Sequence, residues 1–121
     1  SLIKFQPQET VWQMVILTVS VNAQSNKRNE ILSACRLISD RTRQEKGCLD
    51  CRLSQDIDNE NLIYLEQTWE RRSYLDEHFR SDVFSALLGA MKLLGENHVI
   101  QINESTQKEG RDAVKRARGM C

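Results

Sequence analysis

Hydrophobic periodicity changes along this chain in a fixed order, and that order is the strongest constraint on what it can fold into. Residues 11–22 alternate, with Val15, Leu17, Val19 and Val21 on one parity and Met14, Ile16, Thr18 and Ser20 on the other. A period of two with β-branched enrichment predicts a strand. Helical spacing follows, from Ser25 or Asn26 to about Lys46. Ile31, Ala34, Cys35 and Ile38 recur on one side, and Arg28, Arg36, Asp40 and Arg43 lie elsewhere. Ser25 or Asn26 is the expected N-cap, and Gly47 the stop.

Period two returns at 48–55, with Leu49, Cys51 and Leu53 on one face, and again at 62–70. In the second run Ile63, Leu65, Gln67 and Trp69 share a face, opposite Leu62, Tyr64, Glu66 and Thr68. The segment between them, DIDNEN at 56–61, supplies turn residues, so the two runs predict an antiparallel hairpin. Residues 71–94 carry the strongest helical pattern, through Tyr74, Leu75, His78, Phe79, Val83, Phe84, Leu87, Leu88 and Met91. Ser81-Asp82 inside that stretch is a natural N-cap and predicts a break into two helices. Gly95 ends the element, and 98–104 (HVIQINE) alternates as a last strand.

The order is β-α-β-β-α-β, the split βαβ or ferredoxin-like α+β arrangement, with both helices on one face of an antiparallel sheet. The other sheet face is expected to be fairly apolar, through Met14, Ile16, Leu62, Tyr64 and either Val99 or Ile100. Burial of that face against a second copy predicts a homodimer with face-to-face sheets, a barrel-like assembly. A chain of 121 residues fits one core. The expected divisions are an extended leader at 1–10 holding the single proline (Pro7), a domain at 11–105 and a tail at 106–121.

Charge excludes some partners. Lys+Arg and Asp+Glu both number 17, so the net charge is zero, and binding of nucleic acid or acidic membranes through bulk charge is excluded. The balance is uneven, however: 107–121 holds five basic and two acidic residues, +3, and the rest of the chain is −3. The tail lacks aromatics and a nucleic-acid-binding motif, so it reads as a solvated or partner-draping helix. No apolar run approaches the ~20 residues that span a bilayer, and 11–21 lacks signal-peptide flanks. The cytoplasm is the expected compartment. Cys48 and Cys51 spell C-x-x-C without a second such pair, and His78 and His98 are not at zinc-finger spacing, so no metal site is expected. On a regular strand the two thiols would point to opposite faces.

Glu45-Lys46-Gly47-Cys48 before a strand, Trp69-Glu70 ending the next, and His78-Phe79 followed by Ser81-Asp82-Val83-Phe84 resemble the antibiotic biosynthesis monooxygenase family over roughly residues 12–105. The resemblance implies a ferredoxin-like dimeric α+β barrel. It also implies a mixed set of activities: cofactor-independent monooxygenases of anthrones and quinols, haem-degrading enzymes, an isomerase of a signalling molecule, and members without established activity. The cofactor-free chemistry asks for a dry apolar pocket, a proton acceptor and donors for an oxyanion. No flavin or nicotinamide loop is required, and the five glycines here are scattered. The haem-degrading branch pairs its tryptophan with a first-strand asparagine, and 14–21 contains none.

Within that frame His78 is the acid/base candidate, because imidazole titrates near neutrality, although a histidine on an apolar stripe also serves as a plain structural residue. Trp69 offers a flat wall and an N–H donor, or is simply core. Gln67 shares its face at a position where many relatives carry an acid, and the acid here, Glu66, is predicted to point the other way. Cys51 stands where many relatives have a tyrosine. Phe79, Phe84 and Met91 are the candidate substrate-lining residues, on a stripe that equally suits core packing. The implied function is a cofactor-independent monooxygenase of small electron-rich aromatics. The alternatives are a non-catalytic dimeric module for a small apolar ligand and a pocket isomerase that uses no oxygen.

Overall fold

The computed structural model describes residues 14–105 and 109–119. The expected leader at 1–10, residues 11–13 of the first strand and Cys121 lie outside the described residues. The elements are β1 (Met14–Ala23), α1 (Arg28–Thr42), β2 (Cys48–Gln55), β3 (Leu62–Trp69), α2 (Arg72–Phe79), α3 (Asp82–Leu94), β4 (Gly95–Ser105) and α4 (Arg111–Ala117). The four strands form one sheet in the order β2-β3-β1-β4, antiparallel at every pairing. This is the ferredoxin-like α+β fold expected from the periodicities.

Strand parity builds the core. Along β1 burial alternates strictly, and Val15, Leu17, Val19, Val21 and Ala23 turn toward the helices. β1 pairs with β3 so that Val15 stands opposite Trp69, Leu17 opposite Gln67 and Val19 opposite Leu65. Directly paired residues share a face, so these side chains form one layer. The helices close it with Ile31, Cys35 and Ile38 from α1, Leu75 from α2, and Phe84, Leu87 and Met91 from α3. Each fully buried aliphatic or aromatic side chain contributes about 1.5–3 kcal/mol. Ser81 caps α3 as expected, its Oγ accepting from the Phe84 N–H at 3.1 Å.

Four details depart from the sequence reading. First, α1 starts at Arg28, and its N-cap Lys27 makes no side-chain capping bond. Asn26 instead takes a left-handed conformation (φ 66°) in a turn closed by the Lys27 N–H on the Gln24 carbonyl, so neither Ser25 nor Asn26 caps. Second, the β2–β3 register shifts between Cys48 and Asp50. Cys48 lies opposite Trp69 and Cys51 opposite Gln67, both core-facing, while Leu49 is bulged out and 54% exposed. The bulge therefore puts both thiols on the helix side instead of letting them diverge.

Third, β4 begins at Gly95, directly after α3. A Cβ there would lie 2.5 Å from Val21 Cγ2 and 2.9 Å from the Met91 carbonyl oxygen, so only glycine permits so abrupt a helix-to-strand change. Fourth, the open sheet face is less apolar than expected. Val99 pairs with Ser20 on that face, whereas Ile100 pairs with Val19 on the helix side. Met14, Ile16, Leu62 and Tyr64 are partly exposed there, interspersed with Thr18, Glu66, Arg52 and Gln101. Among the described residues no helix is long and apolar enough to cross a membrane. α4 buries none of its residues.

Candidate functional site

Trp69 ends β3 facing the helices, and strand parity brings Gln67 to the same face. The indole N–H donates to Gln67 Oε1 at 2.9 Å. Indole nitrogen is a donor only, so the amide oxygen must be the atom that meets it, and Gln67 Nε2 is directed elsewhere. α2 brings His78 over the tryptophan, with ring centroids 4.9 Å apart. The helix break holds His78 in place, since its carbonyl accepts from both the Ser81 N–H at 3.0 Å and the Ser81 hydroxyl at 2.6 Å. Phe84 meets the imidazole edge-on at 5.4 Å, and Phe79 stands against Phe84 at 4.9 Å.

Trp69, Gln67 and His78 are each 0% exposed. The polar partner of the histidine is Glu45, from the turn after α1: Nδ1 lies 2.9 Å from Oε1 and 3.0 Å from Oε2. A carboxylate accepts and does not donate, so Nδ1 carries a proton, and the singly protonated ring with that tautomer has its lone pair at Nε2. The Glu45 side chain is 24% exposed and so connects this buried ring to the surface.

Three buried side-chain atoms lack a hydrogen-bond partner among the described residues: Ser39 Oγ, Gln67 Nε2 and His78 Nε2. Two of them belong to this one cluster. Leaving a buried polar atom unpaired costs about 1–3 kcal/mol, so an unpaired donor and an unpaired acceptor beside the same indole are a feature that stability alone does not explain. Chemically the pair offers a base at His78 Nε2 and an N–H at Gln67 Nε2.

The sequence-predicted residues His78, Trp69, Gln67, Phe79 and Phe84 thus form one cluster. Met91 is buried on the same stripe of α3 but sits seven residues beyond Phe84, about 10 Å along the helix axis, and belongs to the core. Glu66 is exposed on the far face, as its parity predicts. Glu45 carries the carboxylate that the helix-side face of β3 lacks, and the sequence reading assigned it no role. The signal for it was the hairpin register: pairing Cys48 with Trp69 brings the residues before β2 beside the start of α2.

Other features play no part in this cluster. Burial pushes the Cys35 and Cys48 thiols up to about 11, and raises Cys51 as well. Among the described residues no group of three or more His, Cys, Asp or Glu side chains is placed to hold a metal ion. A depression of about 710 Å³, lined in part by Thr18, Arg52, Tyr64 and Glu66, lies on the open face, across the sheet from His78.

Fold and site together define a ferredoxin-like domain with a buried Trp–Gln–His cluster and a carboxylate behind the histidine. The model of the antibiotic biosynthesis monooxygenase family matches residues 14–89, more than half of the chain, and the chain belongs to that family. Among solved structures, a Deinococcus radiodurans protein described in terms of the same family superposes with a TM-score of 0.75 at 21% identity, covering 79% of this chain and 96% of that one. A Bacteroides thetaiotaomicron protein of unknown function, described as a possible oxidoreductase, gives 0.71 at 20% identity, covering 76% and 97%. A Mycobacterium tuberculosis protein gives 0.70 at 18% identity, covering 80% and 99%. At these identities the likeness establishes the fold. No curated protein sequence matches the chain.

Proposed function

We propose that this protein is a cofactor-independent monooxygenase of small electron-rich aromatics, quinol- or anthrone-like, that works as a homodimer. The observation that carries the reading is a pair of fully buried atoms beside Trp69 that have no partner among the described residues, His78 Nε2, which we read as the acceptor, and the donor at Gln67 Nε2. A phenolic hydroxyl is complementary to both: it donates to the imidazole and accepts from the amide. Proton loss to His78 leaves an electron-rich phenolate, the species that gives an electron to dioxygen. Gln67, fixed by the Trp69 N–H, then donates to the oxyanion. Phe79, Phe84 and the Trp69 ring supply an apolar surround that excludes water.

A second reading is a dimeric module that holds a small apolar ligand against the aromatic rings of Trp69, Phe79 and Phe84 without turning it over. An isomerase would use the same proton acceptor anaerobically. Oxygen uptake with a panel of quinols separates them. Wild type is expected to consume oxygen faster than the His78→Ala and Trp69→Ala variants. Equal rates in all three would end the oxygenase reading, and anaerobic conversion of substrate would favour the isomerase.

A further inference from the structure

We propose that Glu45 is the proton port of this buried site: it fixes the His78 tautomer and carries the proton between the imidazole and solvent. The proposal rests on the reading of His78 as the base. A base that is 0% exposed has a difficulty that an exposed one does not. The proton it takes must leave, and bulk water does not touch the ring. Trp69 and Phe84 meet the ring through their aromatic faces and edges and offer it no proton acceptor. Glu45 alone among the described residues hydrogen-bonds to the ring, and its carboxylate reaches solvent.

The transfer balances without any change of oxidation state. The ligand O–H bond breaks and an Nε2–H bond forms. The Nδ1–H bond breaks, an O–H bond forms on Glu45, and water takes that proton from the surface side. On reset, Nε2 gives its proton to the outgoing oxygen, and Nδ1 regains one through Glu45. The Cys48 and Cys51 thiols both feel the Glu45 charge, and burial raises both so that they stay protonated through neutral pH and neither competes as an acceptor. Glu45 is also held in position. Its N–H donates to the Thr42 carbonyl at 3.0 Å, and its carbonyl accepts from the Cys48 N–H at 3.2 Å.

The test has a readout that does not need turnover. Nitrogen-15 NMR of the ring in wild-type protein is expected to place the His78 proton on Nδ1. Glu45→Gln keeps an acceptor but cannot relay, so it retains that tautomer while slowing exchange of the Nδ1 proton with water about tenfold or more. Glu45→Asp restores exchange at least in part, and Glu45→Ala loses the tautomer preference. A proton found on Nε2 in wild type, or equal exchange in wild type and Glu45→Gln at matched thermal stability, would overturn the proposal. With a quinol that turns over, Glu45→Gln lowers kcat about tenfold with KM nearly unchanged. If no quinol turns over, the oxygenase reading fails while the exchange measurement still decides the role of Glu45.

Discussion

The indole N–H of Trp69 donates to the side-chain oxygen of Gln67, two positions earlier on the same strand, at 2.9 Å. This bond makes the glutamine directional, because it leaves a single free end and points that end away from the indole. Trp69→Phe removes the donor and part of the ring volume from a site with 0% exposure. It leaves both ends of the Gln67 amide unpaired and opens a small cavity. Destabilisation of about 2–4 kcal/mol is expected in urea unfolding. A loss below about 0.5 kcal/mol would show that the bond does not fix Gln67.

Gly47 docks the Glu45 turn onto α2. It has φ +87°, and a Cβ built there would lie 2.2 Å from Tyr74 Cγ. Its carbonyl accepts from the Glu70 N–H at 2.8 Å. Gly47→Ala meets two penalties, left-handed strain of about 1–2 kcal/mol and a clash with the tyrosine ring. Tyr74→Ala removes the clash but not the strain. The double variant is therefore expected to be less destabilised than the sum of the single variants. Additive losses in chemical denaturation would refute the steric account.

Much of this site was legible in the sequence, for a physical reason. Alternation in β3 assigns Gln67 and Trp69 to one face and Glu66 to the other, because a strand has only two faces and the apolar parity identifies the buried one. Ser81 was legible as a cap for a similar reason, since its side chain serves a backbone need three residues away. What escaped was set by non-local geometry. The Leu49 bulge breaks the parity rule at one residue, and nothing in the side-chain pattern of 48–55 marks where the register shifts. Glu45 and His78 are 33 residues apart, and their contact follows only once the β2–β3 pairing has been drawn. The start of α1 escaped because Asn26 spends its conformational tolerance on a left-handed turn instead of a cap.

The cysteines predict an alkaline instability. In the folded chain burial raises the Cys35 thiol from 9.0 to about 11, with the neighbouring Cys51 adding to the effect. Between these two values the unfolded chain has lost the proton and the folded chain keeps it. The folded state then binds more protons, so stability falls as pH rises. Below pH 9 the contribution is fully present. By pH 11 the loss attributable to Cys35 is of the order of 2 kcal/mol. Cys35→Ala should flatten the fall between pH 9 and 11 relative to wild type, measured by urea unfolding. Site-resolved alkylation at pH 8 is expected to label partly exposed Cys48 before Cys35 and Cys51, which are each 1% exposed. Equal labelling of the three would contradict the burial.

The last expectation concerns the open sheet face. Ile16 sits on the central strand β1, opposite Thr68 on one side and Asn103 on the other, with Met14 and Thr18 at the neighbouring same-face positions. If two copies pack these faces together, a two-fold axis brings Ile16 into the interface twice, so one substitution acts twice. Ile16→Lys would bury two like charges while leaving the helix-side core untouched. Each 1.4 kcal/mol lost weakens association tenfold, so dimerisation is expected to weaken about 100-fold or more, with the circular dichroism spectrum unchanged. Sedimentation should give wild type at twice the 14.0 kDa chain mass and the variant shifted to the monomer. A wild-type protein that stays monomeric at micromolar concentration would rule out the face-to-face assembly. The mixed polarity of the face, with Arg52 and Glu66 paired across β2 and β3, then explains how a single copy keeps it in water.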